Sequence, residues 1–343
     1  MLVPVIGLIQ VGIQSMADRY TYLPLLGVFI AMVWGADAMA SRWPGLKPAI
    51  GVLAILGLGV CTLLTRVQLR IWANSEILFR HAVAVTRSNY LAYNNLGFYL
   101  SAKGRKTEAM ENYRESLRIK PDYADARNNL GHALAQQGKY AEAIEHYRIA
   151  LRSDPDNVDI HNNLGNALAE TGEGNAAIAE YEFVLKRKAD HADAHNNLGI
   201  ALAMKGRLEE AMGQFHEALR LKPNNASAHG NLGNAFAAQR RFVEATRHYR
   251  EALRLLPTDS QTRNNLGNVL AEQGRFEEAI TNYRTALELN QQNPEANFNL
   301  GCALARLGRA AQAKQHFEAA LRLKPDYVEA RRQLQKLGTP AAP

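Results

Sequence analysis

A leucine-glycine pair returns every 34 residues along most of this chain: Leu96-Gly97, Leu130-Gly131, Leu164-Gly165, Leu198-Gly199, Leu232-Gly233, Leu266-Gly267 and Leu300-Gly301. The same period carries an alanine from Ala109 to Ala313, an aromatic ring from Tyr113 to Phe317 and a leucine from Leu117 to Leu321. Seven copies in one register exclude a single globular core. A 34-residue unit is too short to bury an apolar face alone, so the copies must stack, each covering the next.

Within each unit the spacing predicts two short amphipathic helices. The first carries the Leu-Gly pair, where glycine lets its neighbour approach. The second carries the alanine, the aromatic and the leucine on one stripe. A turn glycine separates them at Gly104, Gly138, Gly172, Gly206, Gly274 and Gly308, and prolines such as Pro121, Pro155 and Pro223 close the unit. Departures are local: Arg240 replaces the fifth turn glycine, Ala189 and Gln291 replace prolines, and Gly174-Asn175 loosen the third turn.

These residues resemble the tetratricopeptide-repeat (TPR) family over residues 90–327. The expected fold is all-α, a right-handed superhelical solenoid of seven repeats: 90–123, 124–157, 158–191, 192–225, 226–259, 260–293 and 294–327. Phe79 and Ala82 lie one period before Tyr113 and Ser116, so 71–89 reads as a linking half-repeat. Residues 328–343 read as a charged capping helix and tail.

The first 70 residues differ in kind. The stretches 23–40 and 48–65 are apolar apart from Asp37 and are near the ~17–25 residues needed to cross a bilayer. Ser41 to Lys47 reads as the polar turn of a transmembrane helical hairpin, with Trp43 at the interface. Residues 1–13 are apolar but short, without the basic start of a signal peptide. A start inside an apolar run leads us to expect a longer multi-spanning protein. Asp18-Arg19-Tyr20 fits an interfacial aromatic belt with a local ion pair, and Arg19 is also a candidate contact for a lipid phosphate. Arginines 19, 66, 70 and 80 outnumber Arg42 and Lys47 on the hairpin turn and favour a cytoplasmic solenoid. The Gln14–Pro24 segment, the hairpin and the following repeats are similar to bacterial membrane proteins of the protein O-mannosyltransferase kind. That resemblance implies an integral protein of a bacterial inner membrane with an extracytoplasmic solenoid, against the local charge count.

Composition narrows function by exclusion. The net charge of +7 is spread along the repeats without a dense basic run, which argues against a nucleic-acid partner. The two cysteines, Cys61 and Cys302, lie in unlike parts of the chain and suggest neither a disulfide nor a metal site. His161, His195 and His229 recur at the repeat period, too far apart to share an ion, and read as packing residues. No P-loop, nucleophile elbow, HExxH or paired-cysteine motif occurs, so neither an enzyme activity nor a cofactor is expected.

Function should lie on the concave face, which first helices line in TPRs. Position 6 of each repeat is asparagine: Asn95, Asn129, Asn163, Asn197, Asn231, Asn265 and Asn299. Position 5 adds Asn94, Asn128, Asn162, Asn196 and Asn264. Asparagine is a weak helix former, so its recurrence demands a reason. One reading is a ladder of amide bonds tying neighbouring helices together. The other is a partner site, because a carboxamide both donates and accepts and so matches a bound peptide backbone. Helices about 10 Å apart and an extended chain rising about 3.3 Å per residue place one asparagine at about every third partner residue. Flanking Asp125, Asp159, Asp193 and Glu295 at position 2 suit basic or hydroxyl-rich partners, or simply the helix dipole.

The repeated unit, NNLGNALAETG at 162–172 and NNLGNVLAEQG at 264–274, resembles the superhelical TPRs of O-GlcNAc transferase, which implies binding of protein substrates along the groove. Two functions are therefore expected. One is a membrane-anchored scaffold for extended or disordered polypeptides. The other is the substrate-recruiting C-terminal part of a membrane protein glycosyltransferase whose catalytic region lies elsewhere.

Overall fold

The computed structural model describes residues 22–71 and 74–338. Arg19, its neighbouring belt and the apolar run 1–13 lie outside the described residues. The chain divides into two compact units, Met1–Ile160 and His161–Pro343.

The first unit opens with α1 (Tyr22–Arg42), a 3-10 turn (Pro44–Leu46) and α2 (Lys47–Ile71). The two apolar stretches expected from sequence fall within α1 and α2. Among the described residues one helical segment, Pro44–Leu64, is long and apolar enough to cross a bilayer by length and composition, with a mean hydropathy of 2.0. Then follow α3 (Ser75–Val85), α4 (Tyr90–Ala102), α5 (Lys106–Ile119), α6 (Ala124–Ala135) and α7 (Tyr140–Ser153), with α4 packed on α5 and α6 on α7.

Helix α8 (Val158–Glu170) leads into α9 (Gly174–Arg187), α10 (Ala192–Met204), α11 (Leu208–Leu221), α12 (Ala226–Ala238) and α13 (Phe242–Leu255). The second unit continues with α14 (Ser260–Glu272), α15 (Phe276–Leu289), α16 (Pro294–Arg306), α17 (Ala310–Leu323) and α18 (Val328–Gly338). In this unit α10 pairs with α11, α12 with α13, α14 with α15 and α16 with α17. Helices α10, α12, α14 and α16 also lie side by side. The fold is all-α, of the TPR type.

The glycine of each repeat is where two helices touch. A Cβ built on Gly97 would stand 2.6 Å from the Tyr113 ring, and one on Gly199 would stand 2.5 Å from Phe215. Each aromatic thus seats on bare backbone, which is why the pair keeps one period. Tyr147, Tyr181, Phe215, Tyr283 and Phe317 are fully buried as a result. The turn glycines have a different task. Six of them, such as Gly206 at φ +76°, adopt the left-handed conformation that ends the first helix, and Arg240 adopts it at φ +58°.

First and second helices begin by different chemistry. Asn89, Asn225 and Asn293 accept a hydrogen bond from the backbone three residues on, as ordinary N-caps. Second helices begin at Arg105, Arg207, Arg241 and Arg275, which offer no acceptor. Each instead pairs with a glutamate three residues later, Glu108, Glu210, Glu244 or Glu278. Those carboxylates sit in the first turn, where the helix dipole favours them.

Candidate functional site

The asparagines of the first helices form a directed hydrogen-bond network. In the first unit Asn129 donates to Asn94 Oδ1 at 2.9 Å, and Asn94 donates to Asn95 Oδ1 at 3.5 Å. In the second unit Asn197 donates to Asn162 Oδ1 at 3.4 Å, Asn231 to Asn196 Oδ1 at 3.1 Å and Asn299 to Asn264 Oδ1 at 3.2 Å. Asn196 passes its own amide to Asn197 Oδ1 at 3.4 Å. At these four places position 6 reaches back to position 5 of the preceding repeat.

The two positions differ in access. Asn94, Asn196 and Asn264 are 6%, 7% and 2% exposed, so they serve the neighbouring helix. Asn95 is exposed, and Asn129, Asn163, Asn197, Asn231, Asn265 and Asn299 are half-buried. Asn128 and Asn162 are half-buried as well. Within each unit a partner could therefore reach the position-6 asparagines and, at Asn128 and Asn162, position 5 as well. No buried side-chain polar atom lacks a partner among the described residues.

The register breaks at the sixth repeat. Position 5 of the fifth repeat is Gly230, which offers no acceptor. Asn265 turns instead to Asn234 Oδ1 at 3.0 Å and accepts from Gln261 at 3.0 Å. In the seventh repeat position 5 is Phe298, whose ring packs against Phe317 and Tyr327 at 5.8 and 5.1 Å.

Position 9, a groove neighbour by helical spacing, carries a second row. At position 9, Asn166, Asn234 and Asn268 accept from the hydroxyls of Tyr181, Tyr249 and Tyr283 at 2.7, 2.7 and 2.8 Å. Burial lifts these phenols well above their ordinary pKa, so they remain donors. Asn197 also donates to Asn166, at 2.9 Å. The sequence holds a signal for this row: where position 9 is Ile200 or Cys302, the paired ring is Phe215 or Phe317, which has no hydroxyl to place.

The periodic histidines belong to the packing between helices. His195 Nε2 bonds the carbonyl of Ala189 at 3.0 Å and His229 Nε2 that of Pro223 at 3.2 Å, so each closes the preceding turn. His161 bonds Glu180 and stacks on Phe183 with centroids 3.7 Å apart. His229 Nδ1 meets His248 Nδ1 at 3.0 Å, and burial together with His229, His216 and Arg247 pushes His248 down to about 4. Burial pushes the Cys302 thiol up to about 11, which leaves it protonated and unreactive at neutral pH. Among the described residues no group of three or more His, Cys, Asp or Glu could hold a metal ion.

Comparison with known proteins supports the fold. The family model described as the cilia and flagella-associated protein 70 C-terminal domain, a TPR model, matches residues 84–337. Protein O-mannosyl-transferase Tmtc2 of Drosophila melanogaster is 30% identical over 109 residues, 32% of this chain and 11% of that protein. Protein O-mannosyl-transferase TMTC1 of Mus musculus is 31% identical over 115 residues, 32% of this chain and 12% of that protein. The match thus spans about one-ninth of the length of these curated relatives. Among solved structures, the anaphase-promoting-complex hetero-tetramer Cut9–Hcn1 superposes with TM-score 0.64 at 17% identity, covering 72% of this chain and 48% of the other. A tetratricopeptide repeat protein of Parabacteroides merdae gives 0.55 at 18% identity, covering 73% and 99%. At these identities the likeness concerns the fold.

Proposed function

Because residues 84–337 make this chain a member of the TPR family typified by the cilia and flagella-associated protein 70 C-terminal domain, we propose that it is a membrane-anchored scaffold that holds extended polypeptides along its first helices. Protein binding is the general work of the fold. The finer reading rests on one observation. The position-6 asparagines Asn129, Asn231 and Asn299 are half-buried, and their amides are oriented by Asn94, Asn196 and Asn264 of the preceding repeats. A carboxamide offers two donors and two acceptor lone pairs. The inter-repeat bond of Asn231 uses one donor, leaving an N–H and its carbonyl oxygen for the main chain of a partner, whereas Asn197 gives both N–H groups to Asn162 and Asn166 and would offer a partner only its carbonyl oxygen. Such a row reads backbone rather than side chains, so it suits disordered segments of varied sequence.

The test is peptide affinity on one preparation. Replacing Asn163, Asn197 and Asn231 together by alanine should weaken binding to unrelated unstructured peptides alike, by tenfold or more if each lost bond contributes about 0.5–1.5 kcal/mol. Unchanged affinity at a temperature where the variant is fully folded would remove the reading.

Anchoring through α1 and α2 is the second component. It is supported by the apolar segment Pro44–Leu64, and it requires that the full chain stay with membranes through an alkaline wash. Recovery in the soluble fraction as a monomer would contradict it.

A second reading is favoured by the O-mannosyl-transferase relatives. Here the chain is the substrate-recruiting part of a longer membrane glycosyltransferase. Sugar transfer to a groove-bound peptide by the protein in its native membrane, lost with the asparagine triple variant, would establish this reading over a scaffold alone.

A further inference from the structure

Helix α3 keeps the register of a second helix but not its surface. Position 29 of the repeat is exposed and charged in all seven copies, from Arg118 to Arg322, and in α3 it is Ala84. Position 22 varies among the repeats, from Glu111 and Glu145 through Ala179 and Gly213 to Arg247, and is the large apolar Ile77 in α3. The outward stripe of α3 thus carries Ile77 at 43% exposure and Val85 at 62%, with Arg80, His81 and Ala84 between them. No carboxylate lies on it. Arg80 points its charge to Glu76 and Glu108 at 3.0 and 3.3 Å, which ties α3 to α5.

The chain before α3 supplies the reason for this change. Helix α2 ends at Ile71 and α3 begins at Ser75. From Leu64, the end of the apolar segment, seven residues lead to Ile71, about 10 Å of helix, comparable with the roughly 5–8 Å headgroup layer on each side of a bilayer. Helix α2 does not close over α3 as a first helix would. Leu63 stands one period before Gly97, where the bare backbone is needed, and is 66% exposed.

We propose that the outward stripe of α3, with Ile77, Ala84 and Val85, is a membrane-surface contact that seats the first hairpin of the repeats in the headgroup layer. The inference rests on α2 entering a bilayer. The occupant is the lipid surface because the loss of charge occurs in the helix that follows the apolar segment, and in none of the seven second helices after it at position 29. Partial burial of short apolar side chains among headgroups is how interfacial helices bind. The contact would fix the orientation of the first unit's repeats relative to the membrane.

The test compares one register position in two helices. The full chain carrying Cys61→Ser and Cys302→Ala receives a single cysteine by Ala84→Cys or by Arg118→Cys. Each is labelled with an environment-sensitive fluorophore and reconstituted into phosphatidylcholine–phosphatidylglycerol vesicles. Both sites are exposed, so neither substitution disturbs the core. At position 84 the emission should shift to the blue and be largely lost to lipids brominated near the headgroup, whereas at 118 it should remain water-like and unquenched. Water-like emission at both sites in a chain that resists alkaline wash overturns the contact while leaving the anchor standing. Emission at 84 that is blue-shifted but untouched by brominated lipid overturns it in favour of a protein neighbour. A chain removed from the vesicles by the wash overturns the anchor and the contact together.

Discussion

The side-chain amide of Asn231 donates to Asn196 Oδ1 at 3.1 Å, 35 residues back along the chain. The acceptor is 7% exposed, so water cannot replace the bond. Asn231→Ala should therefore lower stability by about 1–3 kcal/mol for the stranded acceptor, offset by roughly 0.5 kcal/mol from alanine's better helix propensity. Urea unfolding would check it. The reciprocal change is Gly230→Asn, which restores the missing acceptor for Asn265. A Cβ at Gly230 would have only Thr262 Oγ1 nearby, at 3.6 Å. This variant should be at least as stable as the parent.

Arg240 occupies the left-handed turn that glycine takes in the other six repeats. That conformation costs a side-chain-bearing residue about 1–2 kcal/mol, while glycine adds entropy to the unfolded chain. Arg240→Gly should raise the melting temperature modestly. Gly206→Ala, at φ +76°, should lower it by a similar amount. Equal effects of the two changes in one direction would contradict the assignment.

Gly267 lies beneath Tyr283, where a Cβ would come within 2.5 Å of the ring. Gly267→Ala should destabilise by about 1–3 kcal/mol through overpacking. A second change separates fit from polarity. Tyr283→Phe keeps the ring but removes the donor to Asn268, and should cost only about 0.5–1.5 kcal/mol. Calorimetry on the two variants should reproduce that order.

Acid should weaken the fold through its half-buried histidines. The folded pKa of His248 lies at about 4, below the ordinary imidazole value, and burial lowers His146 and His316 in the same direction. Between pH ~6.5 and about 4 the unfolded chain binds more protons than the folded one, so stability rises with pH. It is fully present above the ordinary value and declines as pH falls toward 4. His248→Gln should flatten this part of the curve, measured as melting temperature against pH. A profile identical to the parent's would remove His248 from the account.

The repeat architecture was legible because its causes are local and periodic. A glycine at position 8 and a ring at position 24 can meet only if two helices pair within one unit, and the fold seats Tyr113 on Gly97 and Phe317 on Gly301 in that way. The left-handed turns followed from glycine's conformational freedom, and the one departure, Arg240, was visible as a substitution.

Hydrogen-bond direction was not legible. The sequence presents Asn231 and Asn265 as equivalents, one period apart, and both reach back to the preceding repeat. One bonds a residue 35 positions earlier and the other a residue 31 positions earlier. That choice depends on which acceptor the neighbouring helix brings within 3 Å or so, and Gly230 has none to bring. Which asparagines are buried, as Asn94, Asn196 and Asn264 are, and which stay within reach likewise needs the packed helices. Spacing alone sets which residues share a helix face. Only the approach of the adjacent helix sets how far each amide is taken from water and which partner it finds.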